Sequence, residues 1–157
     1  MTAVMPDVCD ALDTDMFGVV NVAEKNVLRF DEGLLGFPSC KRWVVLEGTR
    51  TGTAWLQSAD HKSLAFLLVD PFVAFDGFSV DIDDTDLRRI EAAHEADLLV
   101  YALVTVPASG ATVTANLNGP IVVDIRARRG MQVVLRDSGW GVRHPLPPHI
   151  LSGSTKS

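Results

Sequence analysis

Ile121-Val122-Val123-Asp124-Ile125-Arg126-Ala127-Arg128-Arg129-Gly130-Met131-Gln132-Val133-Val134-Leu135 is the stretch that decides the fold class. Two apolar runs rich in β-branched residues flank Arg128-Arg129-Gly130, which reads as a tight hairpin whose glycine supplies a positive φ. Working outward, runs of four to eight apolar residues punctuated by Gly, Pro, Asn and Asp recur along the chain. They predict strands over 18–23, 27–30, 43–46, 54–57, 64–69, 98–106, 112–116, 121–127 and 131–135, a mainly β, antiparallel domain. One segment differs. Asp83-Asp84-Thr85-Asp86 precedes Leu87 and Ile90, a helical spacing with acids where a helix start favours them, so one short helix is predicted near residues 85–95 with Leu87 and Ile90 toward the sheet. Residues 17–148 are expected to form the domain, between a flexible start (1–16) and a flexible tail (149–157).

The chain has 157 residues, 47% of them hydrophobic, enough for one domain with one ordinary core. Charged residues at 22% exclude a disordered tail, and Pro107, Gly110, Asn116 and Pro120 break the longest apolar stretch, which excludes a membrane helix. The first fifteen residues carry four Asp and no base, the reverse of a secretion signal, so a cytoplasmic location is expected. Cys9 and Cys40 lie outside any metal-binding pattern and read as reduced thiols. The net charge of −6 is uneven: nine acids face only Arg88 and Arg89 between Asp70 and Asp97. An acidic side repels nucleic acid and favours encounter with basic proteins. The cluster Arg126, Arg128 and Arg129 lacks interleaved aromatics and reads as a solvated hairpin end.

No constellation fits catalysis well. Ser58, Asp60 and His61 hold the parts of a hydrolase triad, but they sit within four residues of one another and Ser58 lacks the strand-to-helix elbow that exposes a nucleophile. Asp81, Asp83, Asp84 and Asp86 begin like a calcium loop, yet the required Gly and the twelfth-position Glu are missing. No cofactor is implied. Gly33-Leu34-Leu35-Gly36 lacks the ending of a phosphate loop and reads as a turn that throws Phe37 either into the core or outward as a contact. Gln57, Asn116, Asn118 and Gln132 are amides in apolar surroundings, either bonded locally or offered to a partner's main chain.

Eight motifs in order, among them Phe30-Asp31-Glu32-Gly33-Leu34-Leu35-Gly36-Phe37-Pro38, Trp55-Leu56-Gln57-Ser58, Asn116-Leu117-Asn118-Gly119-Pro120 and Gln132-Val133-Val134-Leu135, resemble the flagellar assembly factor FliW family over roughly 17–147. Gly119 stands where the family commonly has Ala, and Trp140 where a tyrosine is expected. The resemblance implies a small β-barrel-like fold in a cytoplasmic bacterial protein that binds flagellin. It also implies antagonism of CsrA, the RNA-binding repressor of flagellin translation, so that translation is matched to filament assembly. The alternatives are a flagellin chaperone without CsrA regulation, or a small hydrolase using Ser58 and His61. Expected contacts are Leu34, Leu35 and Phe37 for flagellin's helical termini. The acidic Asp81, Asp83, Asp84 and Asp86, with the Asn116–Pro120 loop including Leu117 and Asn118, and Gln57, complete the expected partner-binding set. Neither nucleic acid nor membrane is expected as a direct partner, and the free protein is expected to be a monomer.

Overall fold

Alternating side chains along seven strands close a ring. The computed structural model describes residues 9–90, 98–135 and 138–151. In chain order these form β1 (Cys9–Thr14), β2 (Gly18–Ala23), a 3-10 turn (Glu24–Asn26), β3 (Val27–Arg29), β4 (Arg42–Glu47), β5 (Thr53–Ser58) and β6 (Ala65–Val69). Then follow α1 (Pro71–Ala74), α2 (Asp84–Arg89), β7 (Leu98–Thr105), β8 (Thr114–Asp124), β9 (Arg129–Gln132), β10 (His144–Pro145) and α3 (Pro148–Leu151). Strands β3 to β8 pair antiparallel in sequence order, except that β9 inserts between β8 and β3 and meets β3 in parallel at Arg29↔Arg129. The result is a closed seven-stranded barrel in which every strand has a paired neighbour on each side, although β3 and β9 meet over one register pair only.

Strand β8 shows how the layers separate. Ile121 and Val123 point into the lumen, where they meet Leu28, Phe30, Trp43, Leu56 and Leu68 from strands and loops around the ring. Val122 points the other way, and on that outer wall it packs with Met131, Val133, Ile82 and Ile90. A second outer cluster joins Val69, Ala102, Ala115 and Leu117 to Phe78, Leu146 and Ile150. The barrel wall is therefore sandwiched between two apolar layers over β6 to β9, each fully buried side chain contributing about 1.5–3 kcal/mol.

Several elements differ from the sequence reading. Cys9–Thr14, expected within the flexible start, is strand β1, paired with β2 from Cys9↔Ala23 to Thr14↔Gly18. The buried Thr14 hydroxyl closes the turn, donating to the Gly18 carbonyl at 2.8 Å and accepting from the Phe17 N–H at 2.9 Å. Phe17 then stands edge-on to Trp55, 5.6 Å between ring centres. At the other end, Ile150 of α3 is buried, so part of the expected tail belongs to the fold. The predicted helix is α2, which begins at Asp84. Asp83 occupies the cap position without a side-chain bond, Ile90 is buried as expected, and residues 91–97 lie outside the described residues. The runs 112–116 and 121–127 merge into one strand, β8.

The hairpin turn also sits elsewhere. Arg128 carries the positive φ, at 57°, and Gly130 is inside β9. A Cβ on Gly130 would lie 2.5 Å from the Phe30 ring, so this glycine is needed for close packing in the lumen rather than for the turn. Gly130→Ala is expected to lower unfolding stability by about 1–3 kcal/mol through overpacking, read as a shift in the urea midpoint at unchanged slope.

Tyr101, the chain's single tyrosine, packs against the lumen cluster from β7. Burial, reinforced by the Asp70 carboxylate, holds its phenol above the ordinary value of 10.0. The neutral phenol is thus favoured by folding. The corresponding stability is fully present below the unfolded pKa and is lost as pH rises through the folded one. An alkaline titration followed by tyrosinate absorbance should show a higher midpoint in buffer than in denaturant; equal midpoints would contradict the packing described.

Candidate partner-binding groove

The loop after β3 is built by two glycines. Gly33 and Gly36 both have positive φ, and a Cβ on Gly33 would collide with the Phe37 carbonyl. The turn is tied by Phe37 N–H to the Leu34 carbonyl at 2.8 Å and Leu34 N–H to the Phe37 carbonyl at 3.3 Å. This geometry splits the two leucines. Leu34 is buried in the lumen cluster, whereas Leu35 at the tip is 66% exposed. Phe37 resolves as a surface residue, 37% exposed and braced edge-on by Phe66 at 5.4 Å.

The Asn116–Pro120 segment is not a loop. It is a bulged part of β8, where the pairing with β7 jumps from Leu103↔Asn116 to Tyr101↔Ile121. The Asn116 carboxamide oxygen accepts from the N–H groups of Asn118 and Gly119 at 3.0 and 2.9 Å, replacing ladder bonds that the bulge removes. With its nitrogen turned to the facing carbonyls, the Asn118 amide donates to Leu135 at 2.9 Å and Trp140 at 3.3 Å. Gln132 joins bulge to loop: its Nε2 donates to the Gly119 carbonyl at 3.0 Å and its Oε1 accepts from the Leu35 N–H at 3.1 Å.

These positions correct the expected contact set. Leu34, Gln57, Leu117 and Pro120 are buried and have no surface to offer a partner. Asn116 and Asn118 are half-buried and their amides are engaged internally. The Gln57 nitrogen faces the carbonyls of the β5–β6 turn, nearest that of Ser58 at 3.0 Å, while its oxygen lacks a partner among the described residues. Ser58 accepts from the N–H groups of Asp60 and His61, and Asp60 accepts from those of Lys41 and Arg42. No described hydrogen bond joins the Ser58, Asp60 and His61 side chains to one another. They shape a turn.

Of the remaining candidates, Leu35, Asp81, Asp83 and Asp86 converge, whereas Phe37 and Asp84 line neither of the hollows formed there. Ile82, Leu87 and Ile90 pin the acidic segment to the outer wall beside Met131, Val133 and Leu135, leaving Asp81, Asp83 and Asp84 exposed and Asp86 half-buried. Arg89 reaches the start of the glycine loop, 3.3 Å from Glu32. Between loop and helix lies an open groove of about 760 Å³, with Leu35 on one side, Asp83 and Asp86 on the other and Val133-Val134 on the floor. A smaller hollow of about 270 Å³ shares Asp83, Asp86 and the two valines and extends the trough to Asp81 and Trp140. Val134, 55% exposed, is the groove residue that sequence reasoning missed. The period of two carried the signal, since Val133 and Leu135, buried in the outer-wall cluster, put Val134 on the opposite face of the chain.

Fold and groove together define the class: a small closed β-barrel whose outer wall carries an apolar and acidic trough. A profile of the FliW protein family matches residues 11–146, and the chain belongs to that family of flagellar assembly factors. It is 35% identical to the flagellar assembly factor FliW of Treponema denticola, over 86% of this chain and 92% of that protein. It is 34% identical to that of Geobacillus thermodenitrificans, over 86% and 94%. A crystal structure of the flagellar assembly factor FliW superimposes with a TM-score of 0.81 at 33% identity, covering 88% of this chain and 98% of that one. Among the described residues, no helix is long and apolar enough to cross a membrane.

Gln132→Ala should free the Leu35 N–H and the Gly119 carbonyl together. A stability loss of about 1–2 kcal/mol is expected. Faster hydrogen exchange at the Leu35 amide would locate the effect in the loop; unchanged exchange there would refute the stitch.

Proposed function

We propose that this protein binds flagellin in the bacterial cytoplasm and antagonises the translational repressor CsrA, coupling flagellin synthesis to filament assembly. Membership in a family of flagellar assembly factors supports the process. The observation that carries the mechanism is the convergence of Leu35 with Asp81, Asp83 and Asp86 on one trough. An apolar tip beside an acid wall suits a protein partner with apolar and basic side chains, and the charge accelerates encounter.

Direct RNA binding is a weaker reading. Of the basic cluster, Arg129 is held by Asp31, its Nη1 lying 2.8 and 2.9 Å from the two carboxylate oxygens. The acidic trough would also repel phosphate. The function therefore acts through a repressor protein rather than through its messenger RNA.

The test pairs two variants. Leu35→Ser removes the apolar tip at an exposed site and should weaken flagellin binding by calorimetry while leaving the thermal midpoint near that of wild type. Asp83→Asn combined with Asp86→Asn should slow association with CsrA by about tenfold at low salt and flatten its salt dependence. Association rates unchanged by both variants would overturn the reading, and a wild-type protein that binds flagellin but not CsrA would reduce the role to that of a chaperone.

A further inference from the structure

We infer that the trough receives an extended peptide segment, alternating basic and apolar residues, as an added strand on the open edge of Gln132–Val134. This deepens the groove reading above and rests on it.

The edge follows from hydrogen-bond direction. The Val133 N–H goes to the Pro120 carbonyl at 2.9 Å and the Leu135 N–H to the Asn118 carbonyl at 2.8 Å, both toward β8. In extended chain, neighbouring residues point their main-chain groups to opposite sides, so those of Gln132 and Val134 face away from β8. On that side the ring is closed by β3, but its register with β9 is confined to Arg29↔Arg129. The chain beyond β3 then turns into the glycine loop, which reaches Gln132 only through its side chain. Among the described residues, the Val134 N–H and carbonyl have no hydrogen-bond partner. They border the groove of about 760 Å³.

The walls select the occupant. Val134 and Leu35 offer apolar contact to one set of alternating side chains. Arg89 is taken by Glu32, whereas Asp81, Asp83 and Asp86 make no ion pair among the described residues, so the opposite wall is net negative and complements Lys or Arg. A second copy of this chain would bring its own acid wall against the first. Strand addition gives affinity through the main chain and specificity through alternate side chains, which is what an edge between an apolar and an acidic wall can supply.

The probe is a fluorescein-labelled heptapeptide of alternating Lys and Val, titrated by anisotropy against the full chain, with amide hydrogen exchange read in parallel. Binding is expected, with exchange at the Val134 amide slowed about tenfold or more in the complex. Val134→Pro, which removes that edge donor together with the valine side chain, should weaken binding at least about tenfold, whereas Val134→Ala, which keeps the donor, should weaken it less. The exchange measurement stands even if the proline variant misfolds. Should Leu35→Ser or the Asp83/Asp86 variant weaken binding while Val134 exchange stays fast, the peptide lies in the trough as a helix or coil, and strand addition is overturned with the groove intact. If the peptide binds but no groove variant alters it, the groove reading itself falls. Absence of peptide binding overturns the strand proposal, as does Val134 protection accompanied by a dimer mass without peptide.

Discussion

The missing side chain of Gly130 is the constraint on which this structure depends. Phe30 fills the lumen at the point where β9 passes, and only a glycine lets the strand come close enough to run between β8 and β3. Ring closure follows from that approach, and ring closure gives the lumen cluster members from every side. A six-stranded open sheet with the same residues would expose Leu28 and Ile121 along its edges, β3 and β8. Asp31 reinforces the seam from outside, accepting from both Arg29 and Arg129 across the β3–β9 contact. Those pairs are exposed and contribute little energy, but they fix the register of a very short parallel contact.

The trough is a consequence of the same closure. Its floor is the extension of β9, one wall is the loop that leaves β3, and the other is a helix packed on the outer face of β8 and β9. Loop and floor are 97 residues apart in sequence, and Gln132 is where they are stitched. Its two bonds, to Leu35 and to Gly119, connect the exposed tip with the bulge of β8. The half-buried amides of Asn116, Asn118 and Gln132 thus act as the frame of the groove.

How much of this was legible in the sequence depends on which force decides each element. Apolar alternation marks β4, β5, β6 and β7 within a residue or two, because burial at the barrel wall dominates there. β1 was hidden by its aspartates: as a ribbon outside the ring it needs little apolar surface, and its pairing rests on main-chain bonds and the Thr14 turn. The continuity of β8 was hidden by Asn116-Leu117-Asn118-Gly119-Pro120, which has turn composition. The Asn116 side chain supplies locally the acceptor that a regular ladder would have supplied. At the site, the glycine loop and the acidic segment could be named as candidates from composition alone. Which leucine faces out is set by the φ of Gly33, and their meeting in one trough is set by barrel closure; neither is a local property of sequence.

Charge at the trough is therefore tied to fold in an unusual order. Ile82 and Ile90 are buried, and between them they carry Asp83 and Asp86 to the groove wall, so burying the isoleucines concentrates negative charge beside an apolar tip. Arg89 offsets part of that charge but is drawn to Glu32 at the mouth. Self-repulsion among the remaining carboxylates is tolerated because they are exposed and screened, at a cost of a few tenths to about 1 kcal/mol. A basic segment entering the trough relieves this repulsion as it binds. The folded barrel thus carries a small electrostatic penalty that a partner of opposite charge or added salt relieves, which makes affinity and salt dependence two readings of one feature.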